Sequence, residues 1–331
     1  MKIKEFIGID ISKLKFDVRI HSNQKASVFD NNTAGFKKFI AWLMKNVSCS
    51  KEEILIAMEH TGIYSFPISV FLTEKHFNFV LLPGLEIKRS LGIQRGKDDK
   101  IDAKRIAEYA YQKKDKIVPS QLPFKNIFKI RRLLALRERL VKQKGGFLKD
   151  KKENKMFIKQ SENKVLFEAI EKSIKEHDKL IVKIEKELDE IIANDELMKK
   201  QYHLIISIKG VGKQTALVMI AYTNCFTNFE NWRKFASYAG TAPFPYSSGT
   251  SIKGRNKVSH LANKKIKSLL NLCARSAIVC NHEMKIYYQN RKAKGANGMS
   301  TINIIRNKLI ARIFAVVKRG TPYVDTFKFA A

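Results

Sequence analysis

Residues 95–105 read RGKDDKIDAKR, and the organisation of this 331-residue chain can be worked out from them. The stretch places Asp99 and Asp102 three residues apart among five basic side chains, where a helix is predicted to start. Positions i and i+3 share one face of a helix, so both carboxylates are predicted to point the same way. Crowded carboxylates repel each other unless a cation neutralises them, which makes this pair a candidate metal site. The neighbouring Asp98 could take the place of Asp99, because spacing alone does not separate the two.

The segments that precede this stretch predict a mixed sheet with helices on its faces. Three short alternating or apolar stretches, at 4–11, 16–21 and 26–30, indicate an antiparallel meander. Residues 54–59 (ILIAME) are apolar on both faces and predict an interior strand, and 77–82 predict a fifth strand. Helical periodicity follows strands three, four and five. This order of elements indicates a ribonuclease H-like α/β domain.

Four carboxylates fall on three separate elements of this predicted domain. Asp10 lies within the first strand, Glu59 ends the fourth, and Asp99 and Asp102 lie on the last helix. Hard oxygen ligands of this kind are the set that Mg²⁺ prefers, and two ions about 4 Å apart can hold the attacking and leaving oxygens of a phosphodiester. Each carboxylate alone has an ordinary structural explanation, and Asp17 is expected to face solvent. The four together favour a site for one or two Mg²⁺ ions.

The charge balance predicts a polyanionic partner. The chain has 63 lysines and arginines against 31 acids, a formal net charge of +32, which points to nucleic acid. Charge alone does not name an activity, so a non-catalytic nucleic-acid-binding protein is an alternative. The four scattered cysteines fit free thiols in a reducing compartment. With no apolar run of ~18 residues and no leader pattern, we expect a cytoplasmic, nucleoid-associated protein with no membrane partner.

The middle of the chain predicts long helices. Pro119 and Pro123 mark a linker after a first domain of residues 1–118, and a very basic helical pattern begins near residue 127. Between residues 170 and 191, apolar residues recur in steps of four and three over about three heptads. Residues 119–200 are therefore predicted to form coiled-coil helices, which either join protomers or fold into a hairpin within one chain.

Residues 201–331 predict a mainly α-helical third domain. Gly210 and Gly212, between Lys209 and Lys213, resemble a helix-hairpin-helix turn, whose backbone N–H groups can approach a nucleic-acid phosphate. A tight packing turn explains the same glycines equally simply.

A Ser/Gly-rich stretch, residues 246–251 (YSSGTS), precedes the cations Lys253 and Arg255. A hydroxyl in such a loop could attack a phosphorus atom while the surrounding cations stabilise the developing charge. Composition alone favours a solvated loop.

The motifs in combination resemble a known family. GIDISK around Asp10, EHTGIY around Glu59 and KDDKIDAKR around Asp99 and Asp102 resemble the first domain of DEDD-type insertion-sequence transposases, relatives of the Piv-type invertases. The run from IKGVGKQTA through FASYAGTAPFPYSSGTSIKGR to ANKKIK resembles their second domain. The resemblance covers nearly the whole chain in order. It implies a RuvC-like domain, central coiled-coil helices and a helical transposase domain.

The resemblance also implies roles for individual residues. The family motif K-T-D-x-x-D-A corresponds to residues 97–103, which makes Asp99 the ligand and puts Asp98 in place of a threonine. The motif Q-S-G, whose serine is the nucleophile, corresponds to residues 247–249 and implies Ser248. Ser247 replaces the usual glutamine and is a competitor, and Ser251 is a less favoured one.

The activity that the resemblance implies is transposition. Family members cut and rejoin DNA through a phosphoserine link, aided by the Mg²⁺-binding carboxylates, and act as homo-oligomers, dimers or tetramers. They are similar to recombinases guided by a structured RNA that pairs with the element ends and the target DNA. A RuvC-like Holliday-junction nuclease that uses water is the alternative enzyme. The cations around the carboxylates are then predicted phosphate contacts: Arg95, Lys97, Lys100 and Arg105.

Overall fold

A computed structural model describes residues 3–90, 99–248 and 252–325. Their contacts divide the chain into two compact units, residues 1–122 and 123–331. The basic helices at 119–200 and the region at 201–331 therefore fall largely within one unit by this division, and the predicted three-part domain organisation stays a prediction.

The first unit contains a five-stranded mixed sheet in the order β3-β2-β1-β4-β5, which confirms the predicted α/β class. β1 pairs antiparallel with β2, and β2 with β3; β1 pairs parallel with β4, and β4 with β5. β4 is buried on both faces because its two neighbours and the covering helices exclude water, as its unbroken apolar sequence predicts. The strands are β1 (Glu5–Ile11), β2 (Lys15–Ile20), β3 (Ala26–Asp30), β4 (Ile54–Glu59) and β5 (Asn78–Leu82).

Helices cover both faces of this sheet. Alternate residues of β1 and β4 belong to different cores: Ile7 and Ile56 pack with residues of the first two helices, whereas Phe6 and Leu55 pack with the last helix. The helices are α1 (Thr33–Asn46), α2 (Phe66–Glu74), α3 (Gly84–Ser90) and α4 (Asp99–Gln112), with a 3₁₀ turn at Lys51–Glu53.

Gly8 is the point at which α4 lies closest to the sheet. A Cβ atom at position 8 would lie 2.1 Å from the carbonyl oxygen of Ala103 and 2.5 Å from the backbone nitrogen of Ala107. Towards the start of β1, the ring of Phe6 contacts that of Tyr111 at 5.6 Å between centroids. β1 and α4 therefore run in opposite directions, so the first turn of α4 lies over the C-terminal end of β1.

Gly8→Ala is expected to lower the stability of the first unit by about 3 kcal/mol, because the added methyl group forces α4 away from β1. Urea unfolding of a Trp232→Phe background, in which Trp42 is the remaining tryptophan, reports on this unit. Gly145→Ala is the matched control, since a Cβ at position 145 meets nothing within 4 Å. A Gly8→Ala protein with an unchanged unfolding midpoint would contradict the close approach.

The described part of the second unit is mainly helical, as predicted. One large core joins the long helices to the C-terminal ones. None of the helices within the described ranges combines the length and the apolarity needed to cross a lipid bilayer. The helices are α5 (Lys125–Phe157), α6 (Lys164–Ala193), α7 (Glu196–Ile206), α8 (Lys213–Thr223), α9 (Trp232–Tyr238), α10 (Lys264–Cys280), α11 (His282–Ala293) and α12 (Gly298–Arg319).

α5 and α6 form an antiparallel hairpin within the chain. The apolar seam of α6 is buried, including Ile170, Ile184 and Leu188. Of the two arrangements that the heptad pattern allowed, the chain forms the intramolecular hairpin. Ion pairs between the two helices show the antiparallel direction, because the residue numbers rise along α5 while those of the partners fall along α6. The pairs are Lys129–Glu187, Arg137–Glu185, Lys144–Asp178 and Lys151–Glu171.

The described part of the Ser/Gly-rich stretch, Tyr246–Ser248, lies on a strand of a β-ribbon, so the predicted loop is wrong for these three residues. β6 (Pro243–Ser248) and β7 (Ile252–Val258) pair antiparallel, with a register irregularity between Phe244 and Tyr246. Few apolar residues alternate along either strand, so periodicity gave no strand signal. The predicted candidate Ser251 lies outside the described residues.

Candidate active site and nucleic-acid interface

The structure brings three of the predicted carboxylates to one edge of the sheet, the edge at which strands β1 and β4 end. Ile9 pairs with Met58 in the parallel ladder, and the next residue of each strand is Asp10 and Glu59 respectively. Both occupy the face of the sheet that α4 covers, because each lies two positions beyond a residue on that face. Asp102 lies in the first turn of α4, over the same edge, and all three are half-buried.

Two of these carboxylates have defined neighbours. A Cβ atom at Gly84 would lie 2.0 Å from Oε1 of Glu59, so the glycine that starts α3 makes room for this carboxylate. Oδ1 of Asp102 accepts a hydrogen bond of 2.7 Å from Arg105, whose side chain is 17% exposed. Arg105, a predicted phosphate contact, is thus directed at a carboxylate in this arrangement and partly neutralises it.

A partly buried hydrogen bond links α3 to α4 behind this edge. The hydroxyl of Tyr109 donates to Oε1 of Glu86, and the Tyr109 side chain is buried. Burial, together with this carboxylate acceptor, raises the pKa of Tyr109 to about 12, so the hydroxyl keeps its proton. The bond therefore holds Gly84, and with it the space for Glu59, in a defined position.

Asp17 is a carboxylate that the sequence interpretation misplaced. It was expected to face solvent, yet it pairs directly with Asp10 across β1 and β2 and is half-buried. Directly paired residues share a face of the sheet, so Asp17 adds negative charge beside Asp10. Alternation along β2 carried the signal for its face, but the partner depends on the hairpin register, which spacing does not give.

The structure describes the other predicted residues of this region only in part. Asp99 is the first residue of α4, but its side chain and that of Lys100 are not among those described. Asp98, Arg95 and Lys97 lie in 91–98, outside the described residues.

The described carboxylates fit a divalent cation by their chemistry. Within 3–90, 99–248 and 252–325, no group of three or more His, Cys, Asp or Glu side chains is arranged to hold a metal ion. The donor set consists of carboxylates alone, which suits Mg²⁺ and not the softer metals. Asp10 and Asp17, facing each other across two strands, are the kind of like-charged pair that a bound cation stabilises.

The second predicted catalytic element, the serine, lies on the β6–β7 ribbon. Ser248 pairs with Ile252, and Ser247 pairs with Lys253. Consecutive residues of a strand occupy opposite faces, so the two candidate serines belong to different faces of the ribbon. Tyr246 shares the face of Ser248, whereas Ser247 belongs to the other.

A buried polar network anchors the start of this ribbon. The carbonyl oxygen of Thr241, two residues before β6, accepts hydrogen bonds of 2.9 Å from both Asn303 and Asn307 of α12. The Thr241 hydroxyl in turn donates to Oδ1 of Asn307 at 2.8 Å, and Thr241 is fully buried. The ribbon is therefore attached to a core helix, the kind of rigid support that a catalytic residue requires. Sequence reasoning missed these asparagines, although their spacing of four residues places them on one helix face.

The ribbon lies in a part of the chain that is basic and nearly free of acids. Residues 231–324 contain 18 lysines and arginines and a single acid, Glu283. That acid forms ion pairs with Arg312 and Lys308, so its charge is compensated. The predicted contact Arg255 is exposed on β7, and Lys253 lies on the same strand. This distribution favours binding of nucleic-acid phosphates.

The predicted helix-hairpin-helix turn is less suited to phosphate. Gly210, with φ +93°, packs against Ala277, where a Cβ would lie 2.7 Å from Cα, so a packing role explains this glycine. Lys213 lines a cavity of about 450 Å³ together with Glu185 and Asp189 of α6, whose charges repel an anion. The Lys209 ammonium lies 3.4 Å from Asp325. The assignment of Lys209 and Lys213 to nucleic-acid binding stays a prediction.

Comparisons with known proteins match both the region of the carboxylate-bearing sheet and the region of the serine-bearing ribbon. A family model named DEDD_Tnp_IS110 and described as "Transposase" matches residues 7–150, and one described as "Transposase IS116/IS110/IS902 family" matches residues 202–289. The pilin gene-inverting proteins of Moraxella bovis and Moraxella lacunata are each 24% identical over 329 residues, covering 97% of this chain and 98% of theirs. An IS110 insertion element protein of 43.6 kDa from Streptomyces coelicolor is 31% identical over 120 residues, 36% of this chain and 29% of that protein.

The two family models match in the order in which the carboxylate-bearing sheet and the serine-bearing ribbon occur. The chain is therefore a DNA-cutting and DNA-joining enzyme, and it belongs to the IS110-type family of DEDD insertion-sequence transposases.

Proposed function

We propose that this enzyme cuts and rejoins DNA through a covalent phosphoserine at Ser248, aided by Mg²⁺ held by Asp10, Glu59, Asp99 and Asp102. The observation that carries the proposal is the ribbon: a serine on an anchored hairpin, within 94 residues that contain one acid. A nucleophile that must approach a charged phosphodiester works best where cations prevail and carboxylates are few.

The reaction balances without an external energy source. The Oγ atom of Ser248 attacks phosphorus, an Oγ–P bond forms, and the bond between phosphorus and the leaving sugar oxygen breaks. The hydroxyl proton passes to a base, and the leaving oxygen takes up a proton. Because one phosphodiester replaces another, a new DNA hydroxyl can reverse the step on a different strand and release the serine.

The carboxylate edge has a separate role. DEDD transposases generally use a divalent metal ion, and bound Mg²⁺ would act as a Lewis acid towards the phosphoryl oxygens. The chain's own groups would position that charge: Gly84 leaves room for Glu59, and Arg105 orients the Asp102 carboxylate by a hydrogen bond of 2.7 Å. The same edge could activate water, so a nuclease that does not use Ser248 is the competing activity.

We further propose that the reaction rearranges DNA under the guidance of RNA in a homo-oligomer. The Moraxella relatives are named for inverting a pilin gene, which supports rearrangement as the outcome. A net charge of +32 suits a protein that holds a structured RNA together with donor and target DNA. In the oligomer, the carboxylates of one protomer would act with the serine of another.

The test uses protein purified without nuclease and a plasmid that carries the DNA flanking its reading frame. We expect a discrete RNA transcribed from that flanking DNA to co-purify, and recombination with Mg²⁺ to require it. Ribonuclease treatment should stop the reaction, and adding the transcript should restore it. Undiminished recombination after complete RNA removal would contradict guidance and leave the serine chemistry standing.

A further inference from the structure

Tyr246 is exposed in a way that packing does not explain. Its side chain is 64% exposed on β6, in the strand that ends at Ser248. An aromatic ring of this size normally buries most of its surface in a core or an interface. Tyr246 is therefore a candidate for contact with a partner molecule.

Gly254 holds this ring across the ribbon. The two residues pair directly, and a Cβ at position 254 would lie 2.7 Å from Cδ1 of Tyr246. A glycine inside a strand weakens it and often marks a close approach. Here the missing side chain lets the tyrosine ring lie against the backbone of β7, with its other face towards solvent. The ring is thus held in position while remaining accessible.

The surroundings of the ring suit nucleic acid. Arg255 and Lys257, next to Gly254 on β7, are exposed, and neither has a carboxylate partner among the residues that the structure describes. Lys257 pairs with Phe244, and Arg255 lies at the register irregularity between that pair and the pair of Tyr246 with Gly254. Exposed cations beside an exposed aromatic ring are the combination with which proteins bind single-stranded nucleic acid.

We propose that Tyr246 stacks on an unpaired nucleobase of the DNA strand, next to the phosphate that Ser248 attacks. Tyr246 and Ser248 are two residues apart on one strand, so they share a face and are separated by about 7 Å along it. Arg255 and Lys257, which follow Gly254 on β7, bind backbone phosphates. Base stacking is independent of sequence, because every base has a π-face. The ring therefore positions the strand for attack without selecting its sequence; this position beside the attacked phosphate rests on the proposed role of Ser248.

The test measures binding alone. The probe is a twelve-nucleotide oligothymidine with one central 2-aminopurine, titrated with full-length protein in EDTA and in a Ser248→Ala background. Stacking on Tyr246 quenches the 2-aminopurine fluorescence. Tyr246→Ala is expected to remove most of the quenching and to weaken binding by roughly 5- to 150-fold, the range for loss of one aromatic stack. Tyr246→Phe keeps the ring and should retain both properties.

Phe244→Ala is the matched control, because Phe244 is also exposed, at 45%, but lies four residues from Ser248 and pairs with Lys257 instead of a glycine. It should change the quenching by less than about twofold. Gly254→Ala, which displaces the ring, should reproduce part of the Tyr246→Ala defect with an unchanged thermal unfolding profile. The proposal is overturned if Tyr246→Ala protein quenches the fluorescence as strongly as wild type. It is also overturned if Phe244→Ala and Tyr246→Ala lose quenching to the same extent. Neither result would bear on the serine chemistry, which EDTA and the Ser248→Ala background exclude from the assay.

Discussion

Replacing Ser248 by Ala is expected to lower the rates of strand cleavage and strand joining by roughly 10³-fold or more. The substitution removes the Oγ atom that forms the bond to phosphorus, and no other group in the proposed reaction takes its place. Ser248 is the last residue of β6 and pairs with Ile252, so the smaller side chain leaves the backbone pairing of the ribbon intact. Single-turnover assays on DNA with the flanking ends would measure both steps.

The neighbouring serines provide the controls for this variant. Ser247→Ala and Ser251→Ala keep the proposed nucleophile and should retain cleavage within a few-fold of wild type. Ser247 pairs with Lys253 on the other face of the ribbon, which is why its loss should matter less. If Ser248→Ala cuts DNA at the wild-type rate, the enzyme is a water-using nuclease of the RuvC type. If Ser247→Ala is the inactive variant, the motif alignment is shifted by one residue.

Asp102→Asn is expected to lower the Mg²⁺-dependent activity by about 10³-fold, because a bound metal ion stabilises the charge of the transition state by several kcal/mol. Asp102 is half-buried in the first turn of α4, over the edge that carries Asp10 and Glu59. The second readout is thermal: Mg²⁺ should raise the unfolding temperature of wild-type protein and much less that of the variant. Glu74→Gln, an exposed carboxylate on α2, should change neither property.

The two inactive variants also test how the sites are combined. If one protomer's carboxylates act with another's serine, mixing Asp102→Asn with Ser248→Ala protein should restore part of the activity. If every protomer uses its own pair, the mixture stays inactive. Unchanged DNA processing by Asp102→Asn would indicate that the carboxylates are structural, as a non-catalytic nucleic-acid-binding protein requires.

The sheet was predictable because its sequence signals are local. The alternation of β2 and the unbroken apolar run of β4 each follow from how many faces of the strand are buried. The approach of α4 at Gly8 was not predictable, since a lone glycine in a strand does not reveal which helix crosses it. That contact fixes the position of Asp102 relative to Asp10, so it also fixes the candidate site.

The ribbon and its anchor show why part of the site escaped the sequence. PFPYSS and IKGRNKV lack the apolar alternation of a half-buried strand, because the ribbon is largely exposed and has little core to face. Backbone pairing and the contact of Tyr246 with Gly254 define it instead. In the sequence, Thr241 is part of a short motif, whereas its hydrogen-bond partners Asn303 and Asn307 lie more than 60 residues later. Such long-range pairings are tertiary facts that spacing cannot show.

The central claim is that a serine of the ribbon becomes covalently linked to DNA. The direct measurement incubates wild-type protein with Mg²⁺, any co-purifying RNA and a nicked DNA substrate that traps the intermediate. Denaturation, nuclease digestion and peptide mass spectrometry then locate the nucleotide remnant. The account predicts a phosphonucleotide on Ser248, absent from Ser248→Ala protein and from reactions with EDTA. DNA cleavage without any protein-linked nucleotide, or a remnant on a residue outside the ribbon, would contradict it.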